Sequence, residues 1–156
     1  MTTRSYAQGT TVTTSRSRDE IERTLERFGA TGQIWMRDDE TRKVTVAFKR
    51  QARSYKFTIA LPDQSEFLWT PNSGRARTAS AAKQVCDAET RRRFRSLANY
   101  LKALLDAIDT GIIEVDEALL PYMMLGSGET VYERVQQQIE AGVVDLTRRL
   151  TAGVQQ

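Results

Sequence analysis

Residues 31–61 read TGQIWMRDDETRKVTVAFKRQARSYKFTIAL. Within this stretch, three runs alternate apolar and polar side chains with the period of two that is typical of β-strands. The polar connections at residues 38–41 and 50–53 are short enough for hairpins, so the stretch predicts a three-stranded antiparallel meander. The side chains expected to face the core are Ile34 and Met36, then Val44, Val46 and Phe48, then Tyr55, Phe57, Ile59 and Leu61.

The alternate positions of the same runs predict a second face of the sheet, which is basic and carries a tryptophan. Lysines on such a face neutralise phosphates, and an indole ring stacks on an unpaired base. This second face is expected to hold Gln33, Trp35, Arg37, Lys43, Thr45, Lys49, Lys56 and Thr58.

A helix is predicted on each side of the meander. Ser17 and Glu20 have the spacing of a capping box, which predicts a helix over residues 18–28 that ends at Gly29. The helical spacing of apolar residues predicts a longer helix over residues 79–109. Its apolar stripe comprises Phe94, Leu97, Leu101, Leu104 and Ile108.

The C-terminal third predicts two further helices. The first is expected around residues 115–125, with Leu119, Leu120 and Met123 as its apolar anchors. Residues 126–128 read GSG and predict a turn. Thr130 and Glu133 then form a second capping box, which begins the last helix.

Together these elements predict one α+β domain with the order helix, three-stranded antiparallel meander, long helix and C-terminal helices. Residues 1–16 are expected to be a flexible arm, and residues 17–110 to form the α-β-β-β-α core. Residues 111–151 are expected to be a helical extension packed on the same domain, and residues 152–156 a frayed tail.

The charge is distributed unevenly along the chain. Residues 1–103 hold 20 Lys and Arg against 11 Asp and Glu, a net +9, while residues 104–156 hold 3 against 9, a net −6. A basic surface concentrates polyanions, whereas an acidic segment pairs with a basic surface or repels nucleic acid. Residues 1–103 are therefore expected to carry the binding surface, and a merely solvated surface is the alternative.

Composition excludes several classes of site. The chain has one cysteine, Cys86, and no histidine, so it forms no internal disulfide and no four-ligand zinc site of Cys and His. Ser-His and Cys-His nucleophilic designs are excluded for the same reason. No apolar run approaches the roughly 20 residues that span a bilayer. These features predict a cytoplasmic protein.

Enzymatic motifs are weak. The acidic cluster at residues 38–40 could hold a divalent cation, but such a cluster is more often the polar part of a turn. Residues 126–130 read GSGET, which lacks the lysine of a phosphate-binding P-loop. No catalytic residue, metal or cofactor is expected.

Nucleic-acid binding is the hypothesis that joins most of the features. It combines the basic sheet face, a polar loop at residues 63–77 and a cationic band on the long helix, and the mixture of cations and aromatic rings suits single strands. The expected binding residues are Trp35, Lys49, Lys56, Trp69, Arg75, Arg77, Arg91, Arg92, Arg95 and Lys102.

Two resemblances bear on this hypothesis. The element order α-β-β-β-α resembles double-stranded-RNA-binding domains and, with its longer final helix, the core of Rad52-type single-strand annealing proteins. The second resemblance implies an oligomer that holds a DNA strand in a basic groove. It is topological only, because fold does not fix function.

The sequence itself resembles an uncharacterised family of small phage and prophage proteins. The similarity covers most of the chain and implies a viral or mobile-element context, and so the cytoplasm of a bacterial host, but no functional residues. A proline-containing tail expected from the family is absent. The stretches that carry the resemblance are SRDEIERTLERFGA at 17–30, RFRSL at 93–97, GETV at 128–131 and QIE at 138–140.

The leading hypothesis is thus a homo-oligomeric phage-type accessory protein, not an enzyme, that binds nucleic acid. Single-stranded DNA is the favoured ligand, with annealing or protection of strands in replication or recombination as its role. The alternative is an oligomeric interaction protein that inhibits a host defence factor or sequesters a signalling nucleotide. That alternative would use a compact pocket instead of an extended groove.

Overall fold

The computed structural model describes residues 11–142 and confirms the predicted α+β architecture. Short 3-10 helices cover Gln64–Phe67 and Leu120–Tyr122. The helices are α1 (Thr14–Arg27), α2 (Ala79–Asp109), α3 (Val115–Leu119) and α4 (Val131–Glu140), and the strands are β1 (Thr31–Asp38), β2 (Lys43–Arg50) and β3 (Arg53–Ala60).

The three strands form the predicted antiparallel meander in the order β1-β2-β3. Val46 lies opposite Trp35 on one side and Phe57 on the other, which fixes the register. Both hairpins contain a residue with positive φ, Arg42 at 53° and Gln51 at 55°. The polar connections expected from the sequence therefore are the turns of the meander.

Helices α1 and α2 lie side by side on one face of the sheet, which we call the covered face. Ile21 and Leu25 of α1 and Leu101 of α2 are fully buried. They pack against Val46 and Phe48 in one apolar cluster. Burying each such side chain stabilises the fold by about 1.5–3 kcal/mol. The other face, which we call the open face, holds Ile34, Met36, Thr45, Lys49, Lys56 and Thr58.

The orientation predicted for β1 is wrong. Ile34 and Met36 were expected in the core, but they lie on the open face and are 58% and 48% exposed. Trp35 instead packs against the buried cluster. A register irregularity between Thr31 and Ile34 starts the strand. Beyond this irregularity, Trp35 takes the covered side of the strand, because its large indole ring buries more apolar surface there than Ile34 or Met36 would.

The predicted start of α1 is also wrong. The helix begins one turn earlier, because the Thr13 hydroxyl accepts a hydrogen bond from the Arg16 amide at 3.3 Å. Ser17, expected as the cap, lies inside the helix and is buried. Residues 14–16 therefore belong to α1 and not to the arm, while residues 1–10 of the expected arm lie outside the described part. The helix does end before Gly29, which has a φ of 86°.

Helix α2 spans the predicted residues 79–109. It begins where the Thr78 hydroxyl accepts a hydrogen bond from the Ala81 amide at 3.2 Å. Phe94 is buried against Val44 and Ile59, and Leu97 is partly buried beside them. The predicted apolar stripe is thus the face that packs on the sheet.

The segment after α2 packs on the same core through α3. Leu119 is fully buried as expected, whereas Leu120 is 47% exposed and begins a 3-10 helix instead of continuing α3. The Met124 amide then donates a hydrogen bond to the Ser54 carbonyl at 2.8 Å, which attaches this segment to the edge of β3. Residues 143–151 of the expected extension and the expected tail lie outside the described residues.

Helix α4 begins with the predicted capping box. The Glu133 amide donates to the Thr130 hydroxyl, and the Thr130 amide donates to the Glu133 carboxylate. No residue of this helix is buried. Across residues 11–142, no helix is both long enough and apolar enough to cross a membrane.

Candidate nucleic-acid interface

The two sheet lysines expected to bind phosphate do lie on the open face, but they differ in their partners. Lys49 is exposed and forms no ion pair with a described residue. Lys56 donates to a carboxylate oxygen of Glu133 and to the Gly128 carbonyl, both at 3.0 Å, and its side chain is 18% exposed. The acidic C-terminal segment therefore neutralises one of the two predicted phosphate ligands.

The tryptophan expected beside these lysines is on the opposite side of the sheet. The Trp35 ring stacks on Phe94 with 6.2 Å between centroids, and the Arg18 guanidinium lies over it at 4.5 Å. Its indole N–H donates to the Glu22 carboxylate at 2.8 Å. Trp35 thus joins α1, β1 and α2, and it shares no surface with Lys49.

The loop between β3 and α2 is more regular than its sequence suggests. Trp69 pairs with Ala76 in a short hairpin and is 63% exposed. Arg75 is exposed as well. Arg77, however, donates to the Phe67 and Trp69 carbonyls at 3.1 and 2.9 Å. Trp69 and Arg75 remain accessible to a ligand, whereas Arg77 holds the hairpin together.

The cationic band on α2 is divided between paired and unpaired side chains. Two nitrogens of the Arg92 guanidinium donate to Glu89 at 2.6 Å, and this contact lowers the pKa of the Glu89 carboxyl. Arg95 forms an ion pair with Glu20 of α1. Arg91 and Lys102 form no ion pair with any residue between 11 and 142.

Helices α1 and α2 run in the same direction, which brings cations from both onto one surface. Glu20 pairs with Arg95, and further along both helices Arg27 and Lys102 line one concavity. One turn before the Glu20–Arg95 pair, the same spacing places Arg16 of α1 and Arg91 of α2 on the same side. We call this surface the basic seam; it comprises Arg16, Arg23, Arg27, Arg91, Arg95 and Lys102.

A cleft opens where the first turns of α1 lie beside residues 86–94 in the middle of α2. Its volume is about 430 Å³, and we call it the cleft. Trp35, Phe94 and Val44 form part of its wall, and Asp87 is its one acidic lining residue. The guanidinium groups that line it are Arg18, Arg37 and Arg42.

The three cleft arginines were not among the expected binding residues. Arg37 pairs with Asp39 at 2.6 Å and is largely exposed. Arg42 pairs with Asp63 at 2.8 Å and donates to the Pro62 carbonyl, so two residues hold it in place. Cys86 also lines the cleft, and burial raises the pKa of its thiol.

The acidic turn that could have held a cation is used by the fold. The Asp38 carboxylate accepts hydrogen bonds from the Glu40 and Thr41 amides at 2.9 and 3.1 Å, and one from the Thr41 hydroxyl at 2.6 Å. The contacts with Thr41 lower the pKa of Asp38. Within residues 11–142, no group of three or more His, Cys, Asp or Glu side chains is placed to hold a metal ion.

The expected binding residues therefore do not form a single surface. Lys49 lies on the open face, Trp69 and Arg75 lie on the hairpin, and Arg91, Arg95 and Lys102 lie on the basic seam. No protein-family model matches the chain, and no curated protein or solved structure matches it either.

Proposed function

We propose that the chain binds single-stranded nucleic acid, preferring DNA, along the basic seam. The observation that carries the proposal is the excess of cations over carboxylates there, since the acidic residues that line the same concavities are Glu20, Glu26, Asp106 and Asp109. Five of the six seam cations form no ion pair with a described residue; only Arg95 is paired, with Glu20. Neighbouring like charges repel one another in the free protein, so a bound polyanion relieves an unfavourable arrangement.

The charge is not uniform along the basic seam. Asp106 and Asp109 line the same concavity as Arg27 and Lys102, which weakens the positive potential at that end. Arg16 and Arg91 lie towards the other end of the seam, where α1 begins beside the middle of α2. We therefore expect phosphates to bind mainly between the start of α1 and the middle of α2, next to the cleft.

The preference for single strands rests on the position of the aromatic side chains. Bases in a duplex are stacked and paired, so a protein ring reaches only an unpaired base. Trp35 is partly exposed where it lines the cleft beside the basic seam, and Trp69 is exposed on the hairpin. Annealing or protection of strands by a homo-oligomer is the role that we propose for this binding.

The test is fluorescence anisotropy of a labelled single-stranded oligonucleotide, measured over a series of salt concentrations. Binding should weaken steeply with salt, because bound phosphates release counterions. The double variant Arg16→Gln/Arg91→Gln should bind about tenfold more weakly at low salt. It should also reduce the slope of log K against log salt by about 0.7 for each phosphate that the variant no longer neutralises.

The matched control is Arg53→Gln/Arg134→Gln, which removes the same charge. Both control arginines lie outside the seam and the cleft, where they pair with Asp116 and Glu129. The control should bind like the unmodified chain. Binding without salt dependence, or equal weakening in both double variants, would contradict a role for the basic seam.

A further inference from the structure

We propose that the cleft is a binding site for one nucleotide unit, with the base on the Arg18–Trp35 pair and the phosphate among the cleft arginines. The natural ligand would be an unpaired nucleotide of a bound strand, and in this respect the inference rests on the proposed function. A free mononucleotide has the same chemistry, and the experiments below distinguish the two sources.

The volume of the cleft fits a small ligand. At about 430 Å³, the cleft lies in the range of small-molecule sites, which is roughly 300–1,000 Å³. Its lining residues come from α1, from β1, β2 and the turn between them, from the segment after β3, and from α2. A pocket of this size suits one nucleotide better than an extended strand.

The cleft contains a planar surface suited to a base. The Arg18 guanidinium lies over the indole of Trp35, with its carbon 4.5 Å from the ring centroid. The buried Phe94 ring stacks on the same indole with an interplanar angle of 21°. Bases stack on both guanidinium planes and aromatic rings in single-strand recognition. The Arg18 guanidinium and the exposed part of the Trp35 ring therefore offer a base a flat surface, while Phe94 packs against the indole from the core.

Arginine hydrogen-bond donors lie around this planar surface. A guanidinium carries five N–H donors in a fixed fork. The contacts of Arg42 with Pro62 and Asp63 occupy only part of its fork, and those of Arg37 with Asp39 leave others available. The remaining donors suit a phosphate, which arginine binds through two parallel hydrogen bonds. An aromatic wall with a rim of guanidiniums matches a ligand that has one planar apolar part and one anionic part.

The experiment uses intrinsic fluorescence of the Trp69→Phe variant, in which Trp35 is the one remaining tryptophan. Deoxyadenosine monophosphate is titrated in, with deoxyribose 5-phosphate and deoxyadenosine in parallel. The nucleotide should change the Trp35 emission at concentrations at least about tenfold lower than either fragment, because each fragment lacks one half of the contacts. The same nucleotide should slow alkylation of Cys86, the one cysteine of the chain.

The variant arm compares two exposed arginines that each pair with an aspartate. Arg37 pairs with Asp39 and lines the cleft, whereas Arg53 pairs with Asp116 elsewhere. Arg37→Gln should weaken nucleotide binding about tenfold, and Arg53→Gln should leave it unchanged. Equal affinity for the nucleotide and for deoxyribose phosphate, or no response to the nucleotide, overturns the cleft as a base-binding site. This comparison of ligands uses only the Trp69→Phe chain, so it does not depend on whether a cleft variant folds.

The two proposals fail separately. If the oligonucleotide binds and Arg37→Gln has no effect on either ligand, the basic seam stands and the cleft site is wrong. If the mononucleotide binds but the oligonucleotide neither binds nor competes, the cleft site stands and the strand-binding function is wrong. The ligand is then a free nucleotide, as the sequestration alternative requires. If the oligonucleotide competes with the mononucleotide, and Arg37→Gln weakens both, both proposals are supported.

Discussion

The two faces of the sheet differ in what covers them and in how their charges are used. On the covered face, Phe48, Tyr55 and Phe57 are nearly inaccessible and stack on one another beneath two helices. On the open face, Ile34 is more than half exposed, and Lys56 is occupied by Glu133. The two helices that bury the covered face thus also carry the basic seam on their outer surface and form part of the cleft.

This difference shows why the basic pattern of the strands did not predict which lysines are free of ion pairs with described residues. A strand lysine is available to a ligand only if no later segment of the chain reaches it, and here the start of α4 reaches Lys56. The helices that cover the other face bring their own cations together, because they run in the same direction. The candidate interface therefore belongs to the helical layer instead of the sheet.

The largest effect should come from removing an aromatic ring from the covered face. Phe48 is 1% exposed and stacks on Tyr55 and Phe57 at 5.4 and 6.3 Å, so Phe48→Ala should leave a cavity and lower the free energy of unfolding by about 3–5 kcal/mol. Ile34→Ala on the open face should lower it by less than about 1 kcal/mol. Urea unfolding measures both. Similar decreases in the two variants would abolish the distinction between the faces.

The second prediction tests the orientation of β1 through two neighbouring residues. Trp35→Ala removes the stack on Phe94 and the hydrogen bond to Glu22, and should lower the free energy of unfolding by about 2–4 kcal/mol. Met36→Ala, one residue further on, should cost less than about 1 kcal/mol because Met36 is 48% exposed. A larger decrease for Met36 than for Trp35 would restore the orientation that the alternation of apolar residues predicted.

Local sequence signals predicted the elements of the fold well. The bounds of α2, the capping box of α4 and the two hairpins follow from apolar spacing, from Thr130 and Glu133, and from short polar turns. The same kind of signal failed at α1, where Ser17 and Glu20 have the correct spacing for a cap but Thr13 supplies it. A capping pattern does not specify which of several nearby hydroxyls lies at the helix end, because packing of Ile21 and Leu25 also fixes the register.

The candidate site could be predicted only in part, because it depends on contacts between distant segments. The band of Arg91, Arg95 and Lys102 follows from helical spacing alone. Its extension by α1 depends on the parallel packing of the two helices, which no local pattern reveals. Arg18, Arg37 and Arg42 lie on three different segments, and only the fold brings them to one cleft. A weak clue was the tryptophan in β1, whose size favours the covered side.

A smaller effect is expected where the C-terminal segment reaches the covered face. Tyr122 stacks on Phe57 at 4.2 Å, and its hydroxyl shares a hydrogen bond of 2.7 Å with Tyr100. Burial, with a contribution from Tyr100, raises the pKa of Tyr122 to about 12. Tyr100→Phe should lower the free energy of unfolding by about 1 kcal/mol and bring the pKa of Tyr122 closer to 10.

The direction of the shift in the pKa of Tyr122 determines the pH range over which Tyr122 contributes to stability. Because the pKa of Tyr122 is higher in the folded chain than in the unfolded chain, its contribution to stability is complete below pH 10 and is lost as the pH rises towards 12. Titration of tyrosinate absorbance measures the pKa, with Tyr122→Phe identifying the late step. If the late step persists in Tyr122→Phe, the assignment is wrong.

The smallest effect concerns the one contact that covers part of the open face. The Thr130 amide and the Lys56 ammonium both donate to the Glu133 carboxylate, and these contacts lower the pKa of Glu133 below its ordinary value of 4.5. A lowered carboxyl pKa contributes stability that is present above the unfolded-state pKa and is lost as the pH falls through the folded-state value. Glu133→Gln should therefore lower the free energy of unfolding by at most about 1 kcal/mol at neutral pH, because the carboxylate is 46% exposed, and this difference should shrink as the pH falls below 4.5 through the lowered pKa of Glu133. Glu117→Gln, which removes an exposed carboxylate with no ion pair among the described residues, is the control, and urea unfolding between pH 3 and pH 7 is the measurement. A deficit for Glu133→Gln that stays constant down to pH 3 would show that its origin is the altered shape of the capping box and not the charge that holds Lys56.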